Sequence, residues 1–261
     1  MKYNKIILFF NIALVFGVIM RFFQIRYTVE YETGFFIQNY KGIGYFMLAA
    51  VFVIALVAAI FANTCHKSPE HPPKKGRALG IVSFLPAAAV LIEVFSESFS
   101  SAVSPVMLLL LKASGLLAAA YFVGFGLQKF VDFDIPPIAS IIPCVYIIIR
   151  IICDFSNIST LALISDNIFL ISAYCLSLLF FLNFTKLYNE VDNEYNFRKL
   201  LASGTAAVIL CISQSVPSFV INLITGNGYT HISPAANFSL FAFGLFVMIF
   251  IFTHFSDENM K

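Results

Sequence analysis

The sequence predicts an all-α polytopic membrane protein, a bundle of about eight transmembrane helices. Two observations carry this prediction. Hydrophobic residues make up 60% of the 261 residues and charged residues only 11%, whereas a soluble domain has about a quarter charged residues. Eight apolar stretches are long enough to cross a bilayer, which takes about 20 residues per helix. The remaining segments are short, so we expect 1–261 to form a single integral membrane domain.

The predicted spans begin and end where charged or turn-forming residues interrupt the apolar runs. They are 5–23, 43–62, 78–96, 104–127, 136–153, 167–185, 200–224 and 234–254. Ser104-Pro105 and Ser233-Pro234 each place a capping hydroxyl before a proline in the first helical turn. Pro136-Pro137 is expected to open the fifth span in a similar way. The first span resembles a signal peptide, but no small-residue cleavage site follows Arg21, so an uncleaved span is expected.

Lysine and arginine predict the orientation, because these residues are enriched in cytoplasmic loops. With the N-terminus inside, eleven lie on the cytoplasmic side and four outside, with Lys112 within a span. Both termini are then cytoplasmic. The two most basic loops, 63–77 and 186–199, follow spans two and six and suggest a four-plus-four organisation, although no residue-level repeat supports it.

The net charge and the sequence motifs exclude several classes of function. The net charge of +2 is divided among short loops and predicts no nucleic-acid binding. The sequence has none of the zinc-protease, ATP-binding or intramembrane-protease motifs, so a non-enzymatic role without a cofactor or metal is expected. Cys65, His66 and His71 do not match a zinc-ligand spacing and are interpreted as a solvated loop. The 31 phenylalanines indicate either an A/T-rich genome or a specialised aromatic site.

Ionisable residues at membrane depth are the candidate binding site, because each is costly there. The candidates are Arg21, Glu93, Lys112, Tyr146, Arg150 and Asp154, with Glu97 and Gln24 close to them in sequence. All lie in the outer halves of their spans in the predicted topology. Their charges balance, so they can neutralise one another in one water-accessible pocket between spans one, three, four and five. The alternatives are an internal ion-pair network that holds the helices together and residues that simply lie at the headgroup boundary. Lys112 is predicted to face the interior and to pair with Glu93, or with Asp154 if Glu93 is out of reach.

The outer half of the seventh span is unusually polar and is a candidate for part of a transport pathway. Its polar residues include Ser213, Gln214 and Asn222, and Pro217 predicts a kink or local unwinding, because proline cannot donate a backbone hydrogen bond. The alternative is a kinked helix held to its neighbours by hydroxyl groups. In the fourth span, Gly115, Gly124 and Gly126 with two alanines form a small-residue face that predicts close helix packing.

The segment after the first span carries a resemblance. Arg21 and Gln24 form R-x-x-Q, and E-T-G-F-F follows at 32–36, with Thr33-Gly34 predicting a turn. This arrangement resembles a group of uncharacterised multi-pass membrane proteins of Firmicutes, many from gut bacteria. Their usual pattern has Asp-Pro before E-T-G-F-F, whereas this chain has Glu30-Tyr31. The resemblance implies a bacterial cytoplasmic membrane and no particular substrate.

Two functions remain open from the sequence. The first is transport or binding of a small solute through the outward-facing charged cluster. The second is a structural, regulatory or permease-like subunit that docks other membrane proteins or a separate ATPase. The expected partners are therefore the lipid bilayer, a small solute and a membrane protein. A deep, water-filled cavity would favour the first function, and a dry, fully paired cluster beside an exposed apolar face would favour the second.

Overall fold

Eight long α-helices account for nearly all of the chain that the computed structural model describes. The described residues are 2–30, 33–64, 77–96, 103–131, 134–157, 165–189, 191, 193–225 and 232–258. The helices are α1 (Lys2–Thr28), α2 (Lys41–Asn63), α3 (Arg77–Ser96), α4 (Pro105–Leu127), α5 (Ile142–Asn157), α6 (Ser165–Tyr188), α7 (Asn193–Thr225) and α8 (Pro234–Glu258). Short 3₁₀ segments, Gln38–Tyr40 and Pro137–Ile141, lead into α2 and α5. All eight helical regions are long and apolar enough to cross a membrane.

The helices match the predicted spans, with the largest extensions in α1 and α7, while α5 and α8 each end four residues later than predicted. The first span was expected to end at residue 23, but α1 continues to Thr28. Its charged last turns remain helical because Arg21 and Gln24 are fully buried against other helices. The seventh span was expected to begin at residue 200, but α7 begins at Asn193. Hydropathy alone therefore places the end of α1 too early in the sequence and the start of α7 too late.

Local capping chemistry explains where several helices begin. The hydroxyl of Ser104 accepts a hydrogen bond from the backbone N–H of Met107 at 3.3 Å, and Pro105 follows in the first turn. Ser233 accepts from the N–H of Ala236 at 3.1 Å. Both caps confirm the prediction. The fifth span differs, because Pro136 has no capping side chain and a 3₁₀ segment precedes α5.

Six of the helices form a closed ring. Around this ring α3 packs against α4, α4 against α5, α5 against α6, α6 against α7, α7 against α8, and α8 against α3. The helices α1 and α2 pack against each other and against α7, outside the ring. The predicted four-plus-four organisation is therefore wrong, because the first four helices do not form a bundle of their own.

The two ends of the bundle differ in composition. We call the end where α1, α3, α5 and α7 finish the charged end, because buried ionisable residues lie there. At the opposite end, where α1 begins and α8 finishes, the ring is filled by phenylalanine side chains. They are buried and pack mainly edge to face; they are Phe122, Phe125, Phe180, Phe181, Phe184, Phe243, Phe246 and Phe250. Many of the phenylalanines thus form a packed core within the ring.

The small-residue face of α4 allows the close packing that the sequence predicts. A methyl group added at Gly126 would lie 2.5 Å from the Ser83 hydroxyl and 2.9 Å from the backbone oxygen of Gly80 on α3. A methyl group at Gly115 would lie 2.4 Å from Val94. These contacts bring the backbones of α3 and α4 together, as expected for membrane helices with small residues at their interface.

Candidate functional site: two buried charged clusters

Glu93 lies at the centre of a hydrogen-bond network built from four helices. It is located one turn before the end of α3 and is 1% exposed. Four groups donate to its carboxylate: the Tyr146 hydroxyl at 2.8 Å, the Tyr174 hydroxyl at 2.9 Å, Arg150 Nη1 at 3.1 Å, and the Ser239 hydroxyl. These donors supply the hydrogen bonds that a buried carboxylate needs.

Arg150 connects Glu93 to a second carboxylate. Its Nε donates to Oδ2 of Asp154, one helical turn further along α5, at 3.0 Å. The guanidinium carbon is 5.9 Å from the centre of the Tyr174 ring. Arg150 is 1% exposed and Asp154 6% exposed, so Asp154 is the more accessible of the two carboxylates. We call Glu93, Tyr146, Arg150, Asp154, Tyr174 and Ser239 the Glu93 cluster.

The Glu93 cluster has more carboxylates than cations. Its two carboxylates share one guanidinium, and the other Lys and Arg residues described at this end, apart from Arg21, are exposed: Arg26, Lys41 and Lys112. The segments that follow α1, α3, α5 and α7 in the sequence and lie outside the described residues, 31–32, 97–102, 158–164 and 226–231, contain two glutamates, one histidine and no lysine or arginine. Excess negative charge at membrane depth is costly unless a cation or a proton neutralises it.

A second cluster surrounds Arg21 on α1. The guanidinium forms an ion pair with Asp166, and its Nε donates to Oε1 of Gln214 at 3.0 Å. Nη1 donates to Gln24 at 2.5 Å and to the Ser165 hydroxyl at 3.2 Å. The guanidinium carbon also lies 4.2 Å from the ring centre of Phe169. This Arg21 cluster has one cation and one carboxylate, so it is neutral.

The Arg21 cluster also explains the segment that follows α1. The amide of Gln24 donates to the backbone oxygen of Gly44 on α2 at 2.8 Å. Phe36 packs against Gly44 and against the ring of Tyr45, whose centre is 4.9 Å away. The chain reverses at Gly34, which has a positive φ of 71°, as expected for the predicted turn. R-x-x-Q and the 33–36 turn together join α1 to the start of α2.

The expected single pocket is therefore wrong, because the candidate residues separate into two clusters. Glu93, Tyr146, Arg150 and Asp154 come together as predicted, but Arg21 pairs with α6 and α7. Four polar residues that sequence reasoning missed complete the clusters: Ser165, Asp166, Tyr174 and Ser239. Asp166 directly precedes the predicted sixth span, which is typical of a charged residue at the membrane boundary. Ser165, Tyr174 and Ser239 carry no charge that would single them out. Glu97 and the Cys65–His71 group lie outside the described residues.

The prediction for Lys112 is also wrong, because this residue is exposed and does not face the interior. The buried face of α4 contains Leu111, Ser114, Gly115 and Ala118. Successive residues turn by about 100° on a helix, so Lys112 lies just beyond the edge of that face. A lysine on the outer surface of a span extends its chain toward the headgroups, which reduces its insertion cost. Arg150 occupies the position beside Glu93 that was expected for Lys112.

The polar half of α7 packs against other helices. Ser213 is buried and packs against Gly17 of α1. A methyl group added at Gly17 would lie 2.6 Å from the hydroxyl oxygen of Ser213. Gln214 accepts from Arg21, and its amide donates to the Ser218 hydroxyl at 3.3 Å. Asn222 is half-buried one turn further on. These contacts agree with the alternative of a helix held to its neighbours by polar side chains.

Pro217 does not interrupt α7. The helix is continuous from Asn193 to Thr225, so the local unwinding expected near Ser213–Pro217 is absent. Two serine hydroxyls beside the proline donate to backbone oxygens one turn back, Ser215 to Cys211 at 2.8 Å and Ser218 to Gln214 at 2.7 Å. Neither oxygen is the Ser213 carbonyl that Pro217 leaves without a backbone donor, and serine bonds of this kind often bend a helix slightly. A bend at this position stays a prediction.

The fold and the clusters define a class of protein. Eight helices able to span a membrane, with the ionisable clusters buried between them, make this a multi-pass α-helical membrane protein. No protein-family model, curated protein or solved structure matches the chain. Its specific role therefore has to be argued from the clusters themselves.

Proposed function

We propose that this membrane protein binds and transports a small cationic solute or a proton at the Glu93 cluster. The observation that carries the proposal is that two buried carboxylates, Glu93 and Asp154, share a single guanidinium. The charged side chains of the Glu93 cluster, two carboxylates and one guanidinium, sum to a net negative charge, and charge buried within a span is costly. A cation entering the cluster would offset that cost.

The position of the cluster supports the same proposal. Its side chains come from α3, α5, α6 and α8, so a solute bound there would contact four helices whose relative movement changes access to the site. Asp154, near the end of α5, is the most exposed of its charged residues. If the basic loops are cytoplasmic, this end faces outward, and Asp154 is the first residue of the cluster that an incoming cation meets.

A second candidate function is a structural or regulatory subunit. The observation that favours it is the enclosure of both clusters, because Glu93 has four donors and Arg21 is fully buried. The α1–α2 pair outside the ring is also the least buried of the eight described spans, and its apolar outer surface would be covered by lipid or by another membrane protein. In this case the clusters hold helices together and do not exchange solutes.

Currents from the purified protein in liposomes on a solid-supported membrane distinguish the two functions. Na⁺, K⁺, methylammonium and a proton jump would each be applied to wild type and to Asp154→Asn and Glu93→Gln. Transport predicts a current with at least one of these cations that falls at least tenfold in both variants. Glu30→Gln, an exposed carboxylate at the same end, is the matched control and should match wild type. The absence of a current with all four cations would overturn the proposal, as would folded variants whose currents equal that of wild type.

A further inference from the structure

A cleft lies at the opposite end of the bundle, away from both charged clusters. It has a volume of about 320 Å³ and is formed by the end of α4, the segment leading to α5 and the last turn of α6. Its lining includes Tyr121, Phe125, Gln128, Asp134, Ile135 and Tyr188. This volume lies within the range of small-molecule sites, about 300–1,000 Å³.

Tyr188 provides the first indication that the cleft binds a ligand. Its hydroxyl oxygen is buried and has no hydrogen-bond partner among the described residues. Buried hydroxyl groups are almost always hydrogen-bonded, so each exception needs an explanation. A ligand in the cleft that carries an N–H or O–H group would supply the partner.

The remaining polar and aromatic groups of the cleft indicate which ligand it would take. Asp134 is exposed and accepts one hydrogen bond, from Gln128 Nε2 at 3.3 Å, so its carboxylate can accept more. Three aromatic rings also line the cleft, with Phe125 centred 6.1 Å from Tyr121 and 5.9 Å from Tyr188. A carboxylate and aromatic rings lining the same cleft favour an ammonium group.

The ammonium group of Lys129 lies close to one of these rings. Its Nζ lies 5.0 Å from the ring centre of Phe125, although Lys129 itself does not line the cleft. Burial lowers the pKa of Lys129 below its usual value. The chain thus already places an amino group over Phe125, which is the kind of contact that a ligand would make from the cleft.

We propose that this cleft binds a primary ammonium group carried on an apolar body, with Asp134 as the counter-ion and the Tyr188 hydroxyl as a hydrogen-bond acceptor. The apolar body would lie against Phe125 and Ile135. The ammonium group belongs either to a free amine or to an ethanolamine lipid headgroup. The proposal goes beyond the function proposed for the Glu93 cluster and is independent of it.

Calorimetric titration of the full-length protein in phosphatidylglycerol nanodiscs tests the proposal. The probe is phenethylamine, and 2-phenylethanol is the neutral probe of nearly the same shape. Wild type should bind phenethylamine at least tenfold more tightly than 2-phenylethanol. Asp134→Asn should remove that preference, and Tyr188→Phe should weaken binding about threefold to tenfold, the effect of losing one hydrogen bond. Glu30→Gln and Tyr195→Phe, both at exposed positions elsewhere, should bind like wild type.

The same titration decides between the two sources of the ammonium group and can overturn the proposal. If a lipid headgroup occupies the cleft, adding phosphatidylethanolamine to the nanodiscs should weaken phenethylamine binding several-fold. An unchanged affinity would assign the cleft to a free amine. No detectable phenethylamine binding, equal binding of the neutral probe, or wild-type affinity in Asp134→Asn would each exclude the proposal. Because Asp134 is exposed, its substitution should leave the thermal unfolding midpoint unchanged.

Discussion

At the scale of single residues, Arg150 links two buried carboxylates. Its guanidinium lies between Glu93 at 3.1 Å and Asp154 at 3.0 Å, and all three residues are buried. In water such pairs contribute little, but in the interior of a membrane protein the loss of one partner leaves a charge without compensation. The stability of the helix ring therefore depends on this one side chain.

Replacing Arg150 with methionine should lower the free energy of unfolding by about 3–5 kcal/mol, because two carboxylates would remain buried without their cation. Thermal unfolding in detergent measures the change. Arg26→Met is the control, since Arg26 is exposed in the last turn of α1 and should be nearly neutral. Adding Glu93→Gln to Arg150→Met should cost less than the sum of the two single changes. Strict additivity would mean that the two charges do not interact.

Lys112 should respond differently, although it is also a charged residue within a span. Because Lys112 is exposed on the surface of α4, Lys112→Met should change the free energy of unfolding by no more than about 0.5 kcal/mol. The same thermal unfolding assay applies, with Arg150→Met as the destabilised reference. A loss comparable to that of Arg150→Met would show that Lys112 takes part in a buried network after all.

At the scale of helices, the contact between α3 and α4 depends on glycine. Gly126 approaches the backbone oxygen of Gly80 so closely that a methyl group would lie 2.9 Å from it. A side chain there cannot be accommodated by rotation, because the obstacle is backbone. The two helices would have to separate, and the neighbouring packing in the ring would loosen.

Gly126→Ala should therefore destabilise the protein by about 1–3 kcal/mol, the usual cost of overpacking. Gly42→Ala is the matched control, since a methyl group added there meets nothing within 4 Å. That change should be neutral or should stabilise α2 by up to about 1 kcal/mol. Denaturation of both variants in the same detergent compares them. Equal stability of the two variants would contradict the close contact.

At the scale of the whole molecule, the orientation in the membrane follows from the distribution of lysine and arginine. Loop 63–77 should be cytoplasmic and loop 225–233 external. In a cysteine-free background, Ser68→Cys should be protected from a membrane-impermeant maleimide in intact cells, and Asn227→Cys should be labelled. Permeabilised cells provide the control, in which both positions should react. External labelling of position 68 alone would reverse the orientation, and the Glu93 cluster would then face the cytoplasm.

Features encoded within a few residues were predictable from the sequence, and those that depend on distant pairing were not. Hydropathy gives the eight helices, and the spacing of Arg150 and Asp154 gives their ion pair. The sequence could not tell that Arg21 meets Asp166, because the two are 145 residues apart and many helix arrangements are compatible with the same spans. Lys112 was misplaced for a related reason, since its rotation about α4 depends on which neighbours that helix packs against.

The separation of Arg21 from Asp166 also has a consequence for synthesis. Arg21 enters the membrane in the first helix, and its carboxylate partner is made 145 residues later. At about 5–20 residues per second, the chain needs roughly 7–30 s to supply it. During that interval the insertion machinery or the headgroup region must hold α1. A chain terminated before α6 would keep Arg21 in the first helix without this carboxylate.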